Sequence, residues 1–159
     1  MPPESSSPVV PSPLAAIQPF LEAARQGETV AAETFVDFAR GFERLVLWGA
    51  GYLGSALGKR LQELELAFHY WDLRAETLKA VNGVPVELPF STDFPPETTL
   101  ALSCISGNTT RYTALKELQR RYPNTLLGVD LFYALLCPNR RTAKPDPRYC
   151  NTFPQCNKS

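Results

Sequence analysis

Short apolar runs, typical of strands buried on both faces of a parallel sheet, alternate with amphipathic stretches along the chain. The apolar runs lie at residues 44–48, 66–71, 99–105 and 125–129. The stretches between them carry apolar residues at helical spacing, which predicts amphipathic helices. These helices lie at residues 52–64, 74–81, 110–121 and 130–136. The alternation predicts an α/β fold of three layers, with a mostly parallel sheet in the middle.

A glycine motif stands between the first predicted strand and the first predicted helix. Gly49, Gly51 and Gly54 form G-x-G-x-x-G, and the second apolar run ends at Asp72. In a dinucleotide-binding βαβ unit the first glycine permits a tight turn, the second lets the backbone approach a pyrophosphate, and the third lets the helix pack on the strand. The helix N-terminus suits an anion, and the acid binds ribose hydroxyls. The order of these features predicts a Rossmann-like domain.

Nine residues form the predicted nucleotide site. They are Gly49, Gly51, Tyr52, Leu53, Gly54, Asp72, Arg74, Ser106 and Asn108. The predicted ligand is NAD(P) or a nucleotide-sugar. Two of the nine have alternative interpretations: Asp72 could be a solvated strand end, and Arg74 could contact a 2′-phosphate or simply be exposed at a helix start. The glycines could also serve helix–strand packing alone.

Proline and helical periodicity divide the rest of the chain. Six of the fifteen prolines fall in the first nineteen residues, and residues 1–12 are predicted to be disordered. Residues 13–42 form a helical lead-in, with two helices broken near Gly27 that pack beside the sheet. The Rossmann-like nucleotide-binding domain spans residues 43–137. Residues 138–159 are polar and proline-rich, which predicts a linker and tail that do not pack on the core and that lead to a downstream catalytic domain.

Composition excludes several partners. The 159 residues suffice for one domain with a proper core, and 16 basic residues balance 16 acidic ones. A net charge of zero gives no argument for nucleic acid or an acidic membrane surface as a partner. No apolar run approaches the roughly 18–20 residues of a membrane span, and the N-terminus lacks a signal-peptide pattern. We therefore expect a cytoplasmic protein with a small nucleotide ligand and without nucleic-acid or membrane partners.

The sequence contains no complete set of catalytic residues. His69 is the only histidine, and its apolar neighbours indicate packing or a surface position. No carboxylate pair has a useful spacing for general acid–base catalysis, and no metal site is predicted. Cys104 is predicted to be a buried strand residue. An S-adenosylmethionine methyltransferase fits less well, because Leu47 and Trp48 precede the turn where such enzymes usually carry an acid. Whether the domain belongs to an enzyme stays open.

Residues 44–136 resemble the small nucleotide-binding domain at the N-terminus of bacterial sugar O- and N-acyltransferases. The similarity lies in LVLWGAGYLGSAL, the strand ending YWD, the NGVPV turn and ISGNTTR before a helix. It implies that the three glycines line phosphates, that Asp72 meets the ribose or base, and that Asn108 and Arg111 lie at the C-terminal edge of the sheet. The family often has two consecutive acids where this chain has one, and the β-helix that transfers the acyl group is absent from this sequence. The resemblance therefore implies a binding module of a larger sugar-processing enzyme, without acyl transfer.

The end of the chain has a second resemblance. Residues 156–159, Cys-Asn-Lys-Ser, resemble the first half of C-N-x-x-C-x-x-C, the motif with which radical S-adenosylmethionine enzymes hold a 4Fe–4S cluster. This implies an alternative function, the N-terminal fragment of such an enzyme with Cys156 as a cluster ligand. The other interpretation is a disordered tail in which Cys150 and Cys156 are incidental. A third hypothesis for the chain is a structural Rossmann-like domain without a ligand.

Overall fold

The computed structural model describes residues 13–105 and 108–136, with side chains at all of these positions except 108–112. The predictions of disorder at residues 1–12 and of a tail at residues 138–159 lie outside these ranges. The lead-in comprises a 3-10 turn (Pro13–Ile17), α1 (Gln18–Arg25) and α2 (Ala32–Ala39). Gly27, at a φ of +82°, lies between the two helices and confirms the predicted break.

Among the described residues, one sheet, four further α-helices and a second 3-10 turn (Pro96–Thr98) follow the lead-in. The strands are β1 (Arg44–Trp48), β2 (His69–Trp71), β3 (Ala80–Val81), β4 (Val84–Glu87), β5 (Thr99–Ser103) and β6 (Thr125–Leu127). The helices are α3 (Tyr52–Glu63), α4 (Ala75–Leu78), α5 (Asn108–Arg121) and α6 (Gly128–Leu135).

The strands lie in the order β3-β4-β2-β1-β5-β6. Every neighbouring pair is parallel except β3 and β4, which are antiparallel. Because β1 has β2 on one side and β5 on the other, the direction of strand order reverses at β1. The predicted α/β fold with a mostly parallel sheet and a Rossmann-like order is therefore confirmed.

The sheet separates two apolar layers, because successive side chains of a strand point to opposite faces. Along β1, Leu45 and Leu47 face one side while Val46 and Trp48 face the other. The first side is covered by α1, α2, α3 and α6, so the lead-in packs on the same layer as two helices of the sheet domain. The second side is covered by α5 and by a connection between β4 and β5 that supplies Phe90 and Phe94.

Several predicted boundaries differ from those of the structure. The helix predicted at residues 74–81 is only one turn, because Lys79 adopts a φ of +61° and the chain then enters β3. Asn82 and Gly83, both at positive φ, form the two-residue loop that pairs Val81 with Val84 across a hairpin. The second strand begins at residue 69 instead of 66, and the sixth ends at residue 127, where α6 begins. Apolar side chains continue beyond both strand ends into the core, so periodicity alone could not place these limits.

Candidate functional site

A cleft of about 350 Å³ opens at the C-terminal edge of the sheet. It lies at the ends of β1, β2 and β5, where the strand order reverses. Its walls are formed by Trp48, Gly49, Gly51, Asp72, Leu73, Arg74, Cys104 and Ile105. Ligands of open α/β sheets bind at such a reversal point, outside the carboxyl ends of the strands. Four of the nine predicted site residues line this cleft or its floor: Gly49, Gly51, Asp72 and Arg74.

Two of the three glycines are required by the fold itself. Gly49 adopts a φ of +114°, and a Cβ there would lie 2.8 Å from the carbonyl carbon and oxygen of Cys104. A Cβ on Gly54 would lie 1.8 Å from the carbonyl oxygen of Gly49, so no side chain fits between α3 and the turn. The backbone amide of Gly49 donates to the carbonyl of Trp71 at 2.7 Å, which ties the turn to β2.

Gly51 differs from its two neighbours in the motif. Its φ is −84°, and the nearest atom to a Cβ built there is Nη2 of Arg74 at 3.5 Å, an ordinary contact distance. No backbone of the described residues approaches that position within 4 Å. The missing side chain at Gly51 therefore opens the cleft and serves no packing contact.

Helix α3 begins at the cleft without a side-chain cap. Its N-cap residue is Gly51, and its first helical hydrogen bond runs from Ser55 N to Gly51 O at 2.8 Å. The amides of the first helical turn therefore lie before the first helical hydrogen bond. They point out of the N-terminal end of α3, where the helix dipole favours negative charge. Tyr52, the first residue of α3, is 80% exposed, whereas Leu53 turns its side chain into the core and can contribute only its backbone.

Asp72 holds the glycine turn against the end of β2. Its side chain is buried, with the residue 6% exposed. Oδ2 accepts a hydrogen bond from Ala50 N at 2.8 Å, and Oδ1 accepts one from Arg74 N at 2.8 Å. The first bond joins the turn to the strand end, and the second closes a local turn of the Asx type.

The guanidinium of Arg74 folds back on the same carboxylate. Nε donates to Oδ1 at 3.1 Å and Nη2 donates to Oδ2 at 3.0 Å, which is bidentate pairing. Burial raises the pKa of Asp72, but the hydrogen bonds from the Arg74 side chain and from the amides of Ala50 and Arg74 outweigh it, so the pKa is lowered. The hydrogen bond to Asp72 in turn raises the pKa of Arg74. Both groups are therefore ionised at neutral pH.

A second group of polar contacts connects α3 to β2 and to the hairpin loop, and it was not predicted from the sequence. The buried hydroxyl of Tyr70 donates to Gly54 O at 2.8 Å, and burial raises its pKa to about 12, so it remains a donor. Asn82 Nδ2, at the hairpin tip, donates to Ser55 O at 2.8 Å and to the Tyr70 hydroxyl at 3.1 Å. Gln62 Nε2 donates to Asn82 O at 2.9 Å. The NGVPV turn, which is part of the family resemblance and contains Asn82, was the sequence feature that could have indicated these contacts.

Cys104 lies directly under the glycine turn. It follows β5 and is buried, which confirms the prediction of a buried residue. Burial raises the pKa of its thiol to about 12, so it stays protonated and is a poor nucleophile. A Cβ on Gly128 would lie 2.7 Å from its Sγ, so the thiol fills the space between the turn and the start of α6.

The remaining predicted residues are placed as follows. Ser106, Cys150 and Cys156 lie outside the described residues, and Asn108 begins α5 with a side chain that is not described. His69 is half-buried against Phe94, with 4.8 Å between the ring centroids, as expected for packing. Within residues 13–105 and 108–136, no group of three or more His, Cys, Asp or Glu residues could hold a metal ion. No helix in those ranges is long and apolar enough to cross a membrane.

Comparison with protein-family models, with curated proteins and with solved structures gives no significant match. The functional conclusion therefore depends on the geometry of the cleft.

Proposed function

We propose that this chain is a Rossmann-like binding module that holds the phosphates of a nucleotide, as NAD(P) or a nucleotide-sugar, at its glycine turn. Gly51 carries the proposal. A purely structural glycine turn needs Gly49 and Gly54, whose Cβ positions collide with backbone, whereas a Cβ at Gly51 would meet only the guanidinium of Arg74. The space that Gly51 keeps open is the cleft, and close backbone approach to a phosphate is the task of that glycine in a binding turn.

The surrounding charges support an anionic ligand. The uncapped start of α3 and the exposed guanidinium of Arg74 both lie beside Gly51. Amide groups at a helix N-terminus and an arginine fork are two common ways in which proteins bind phosphate. The resemblance to the nucleotide-binding domains of sugar acyltransferases agrees with this proposal and makes a nucleotide-sugar the preferred candidate.

Calorimetry with the purified chain tests the proposal against NAD, NADP, UDP-sugars and S-adenosylmethionine. We expect binding of at least one nucleotide. Gly51→Ala should weaken it at least tenfold with little change in the midpoint of thermal unfolding, because the added methyl group meets only the ligand and, at an ordinary contact distance, the guanidinium of Arg74. Gly54→Ala is the matched contrast: its methyl group collides with the turn and should lower the unfolding midpoint. Absence of binding to the whole panel would favour the structural hypothesis instead.

The remaining sequence-based expectations stay predictions. Cys156 lies outside the described residues, so the radical S-adenosylmethionine alternative depends on finding two further cysteines at the right spacing in the reading frame beyond Ser159. The same reading frame would check the predicted downstream catalytic domain. Cell fractionation would check the predicted cytoplasmic location.

A further inference from the structure

We infer that the cleft recognises its nucleotide by phosphate charge through Arg74, and that Asp72 positions Arg74 and the turn instead of binding the ribose hydroxyls. The inference rests on the proposed function and specifies its ligand: a nucleoside diphosphate, or a conjugate of one, whose ribose diol is not read at Asp72. It departs from the role that the fingerprint gives to the acid after the second strand.

The first step is the hydrogen bonding of the Asp72 carboxylate. A carboxylate has about four lone-pair sites for hydrogen bonds. Asp72 accepts four hydrogen bonds from the protein, two on each oxygen, from Ala50 N, Arg74 N, Arg74 Nε and Arg74 Nη2. A ribose hydroxyl would have to donate to one of these oxygens, and each is already fully engaged and buried. The diol therefore has no acceptor at Asp72 while Arg74 stays in place.

The second step is the direction in which Arg74 offers its unused donors. Its contacts with Asp72 engage Nε and one hydrogen of Nη2, which leaves Nη1 and the second Nη2 hydrogen. The Arg74 side chain is 58% exposed, whereas that of Asp72 is 9% exposed, so the cation is the accessible member of the pair. Nη2 lies 3.5 Å from the Cβ position of Gly51, where a ligand comes closest to the backbone.

The third step is the fit of this arrangement to a diphosphate. A planar guanidinium held by two hydrogen bonds is fixed in orientation, and its free edge can pair with phosphate oxygens. The amides at the start of α3 follow Gly51 directly in the chain, and they suit the oxygens of a second phosphate. Asp72 acts on the ligand only through Arg74 and Ala50, which makes it a positioning residue.

Ribose dependence in the wild-type protein is the first test. Affinities for ADP and UDP are compared by calorimetry with those of their 2′,3′-dideoxy analogues, and inorganic pyrophosphate is used as a competitor. We expect the ribo and dideoxy forms to differ by less than about twofold, and pyrophosphate to compete. This comparison needs no variant, so it does not depend on any mutant folding.

Variants test the roles of the two side chains. Arg74→Met should lower diphosphate affinity roughly ten- to hundredfold, the range for hydrogen bonds to a charged group. Arg120→Met, which removes another exposed, ion-paired arginine on α5, is the matched control and should change nothing. Asp72→Asn should weaken binding more in the wild type than in Arg74→Met, because part of its action passes through that arginine and the rest through Ala50.

Two outcomes would overturn the inference in different ways. Diphosphate binding that falls tenfold or more on loss of the diol, with Arg74→Met neutral, would show that Asp72 reads the ribose and would leave the proposed function intact. No binding of any nucleotide or of pyrophosphate to the wild type would overturn the proposed function together with the inference.

Discussion

At the scale of single residues, Asp72 shows how one side chain can serve both the fold and the site. Its carboxylate accepts one hydrogen bond from the backbone of Ala50 in the glycine turn and another from the backbone of Arg74. It therefore joins the glycine turn to the segment that follows β2. Since the four hydrogen bonds favour the charged form, they also make stability depend on pH. The pKa of Asp72 is lowered in the folded protein, so its contribution is complete above the unfolded value of about 3.9 and is lost as the pH falls through the folded value.

Asp72→Asn should therefore destabilise the protein most at neutral pH. We expect a loss of about 1–3 kcal/mol in the free energy of unfolding at pH 7, because buried donors lose a charged acceptor. The difference from wild type should begin to shrink as the pH falls below about 4, the unfolded pKa, and should disappear as the pH passes the lower pKa of the folded protein, where the wild-type carboxylate becomes protonated. Urea denaturation at several pH values measures it. Glu76→Gln, a nearby change on exposed α4, controls for loss of one negative charge, and an equal Asp72→Asn deficit at all pH values would contradict the expectation.

At the scale of elements, the β3–β4 hairpin supports the glycine turn through its tip. Asn82 combines a positive φ of +54° with side-chain hydrogen bonds to Ser55 O and the Tyr70 hydroxyl. Asparagine is one of the few residues that tolerate this backbone conformation while still offering a donor. The loop conformation and the contact with α3 therefore depend on the same residue.

Two substitutions at this position separate those roles. Asn82→Gly keeps the loop conformation and loses the amide, whereas Asn82→Ala loses both. We expect Asn82→Gly to cost about 1 kcal/mol for the lost hydrogen bonds, and Asn82→Ala to cost about 1 kcal/mol more for the left-handed backbone. Chemical denaturation measures both, and equal stability of Asn82→Gly and wild type would refute a supporting role for the amide.

A second turn carries an unusual residue in the left-handed region. Pro89 and Phe90 are the central residues of a turn closed by Ser91 N donating to Leu88 O at 3.1 Å, and Phe90 has a φ of +61°. A turn of this kind normally has glycine at the second central position. The ring of Phe90 offsets the strain by packing against Trp48 and beneath the guanidinium of Arg121, which lies 4.0 Å from the ring centroid.

Substitutions of Phe90 should therefore rank in an uncommon order. Phe90→Ala loses the aromatic contacts and keeps the strain, while Phe90→Gly loses the contacts and relieves it. We expect Phe90→Gly to be more stable than Phe90→Ala by about 1 kcal/mol, with both less stable than wild type. Thermal unfolding decides this; a glycine variant less stable than the alanine variant would mean that the left-handed conformation is not strained.

Elements also show what could be predicted from the sequence. The four core strands and α3 were predictable, because buried parallel strands are continuous apolar runs and the glycine motif marks the point between strand and helix. The one-turn α4 was not, because its end depends on positive φ values at Lys79 and Asn82, set by the hairpin. The four hydrogen bonds of Asp72 could not be predicted from the sequence either, because Ala50 contacts Asp72 only when β1 and β2 lie side by side.

At the scale of the whole molecule, the lead-in belongs to the main core. Ile17, Leu21 and Phe35 are fully buried in the same cluster as the side chains of α3 and α6. Burial of each such side chain contributes about 1.5–3 kcal/mol, which is large against a net stability of about 5–15 kcal/mol. The salt bridge from Arg25 to Asp130 adds little, because the Arg25 side chain is 44% exposed and solvent screens the pair.

The predicted boundary near residue 42 should therefore not be a boundary of independent folding. A chain that begins at Glu43 should show a much lower unfolding midpoint and bind a hydrophobic dye, since α6 loses its contact with α1. A chain that begins at Pro13 is the control and should unfold like the full-length protein. Equal unfolding midpoints for the two shortened chains would show that the lead-in is dispensable.

The hairpin has a consequence for where this protein tolerates insertions. Exposed loop tips are usually the most permissive sites in a domain, because their backbone makes few contacts. A strand of two residues such as β3 has no stability of its own, and the tip at Asn82 is what fastens it to α3. The hairpin and the glycine turn should therefore open and exchange their amide hydrogens as one cooperative unit. A peptide inserted between Asn82 and Gly83 should therefore disturb the glycine turn at the start of α3 as well.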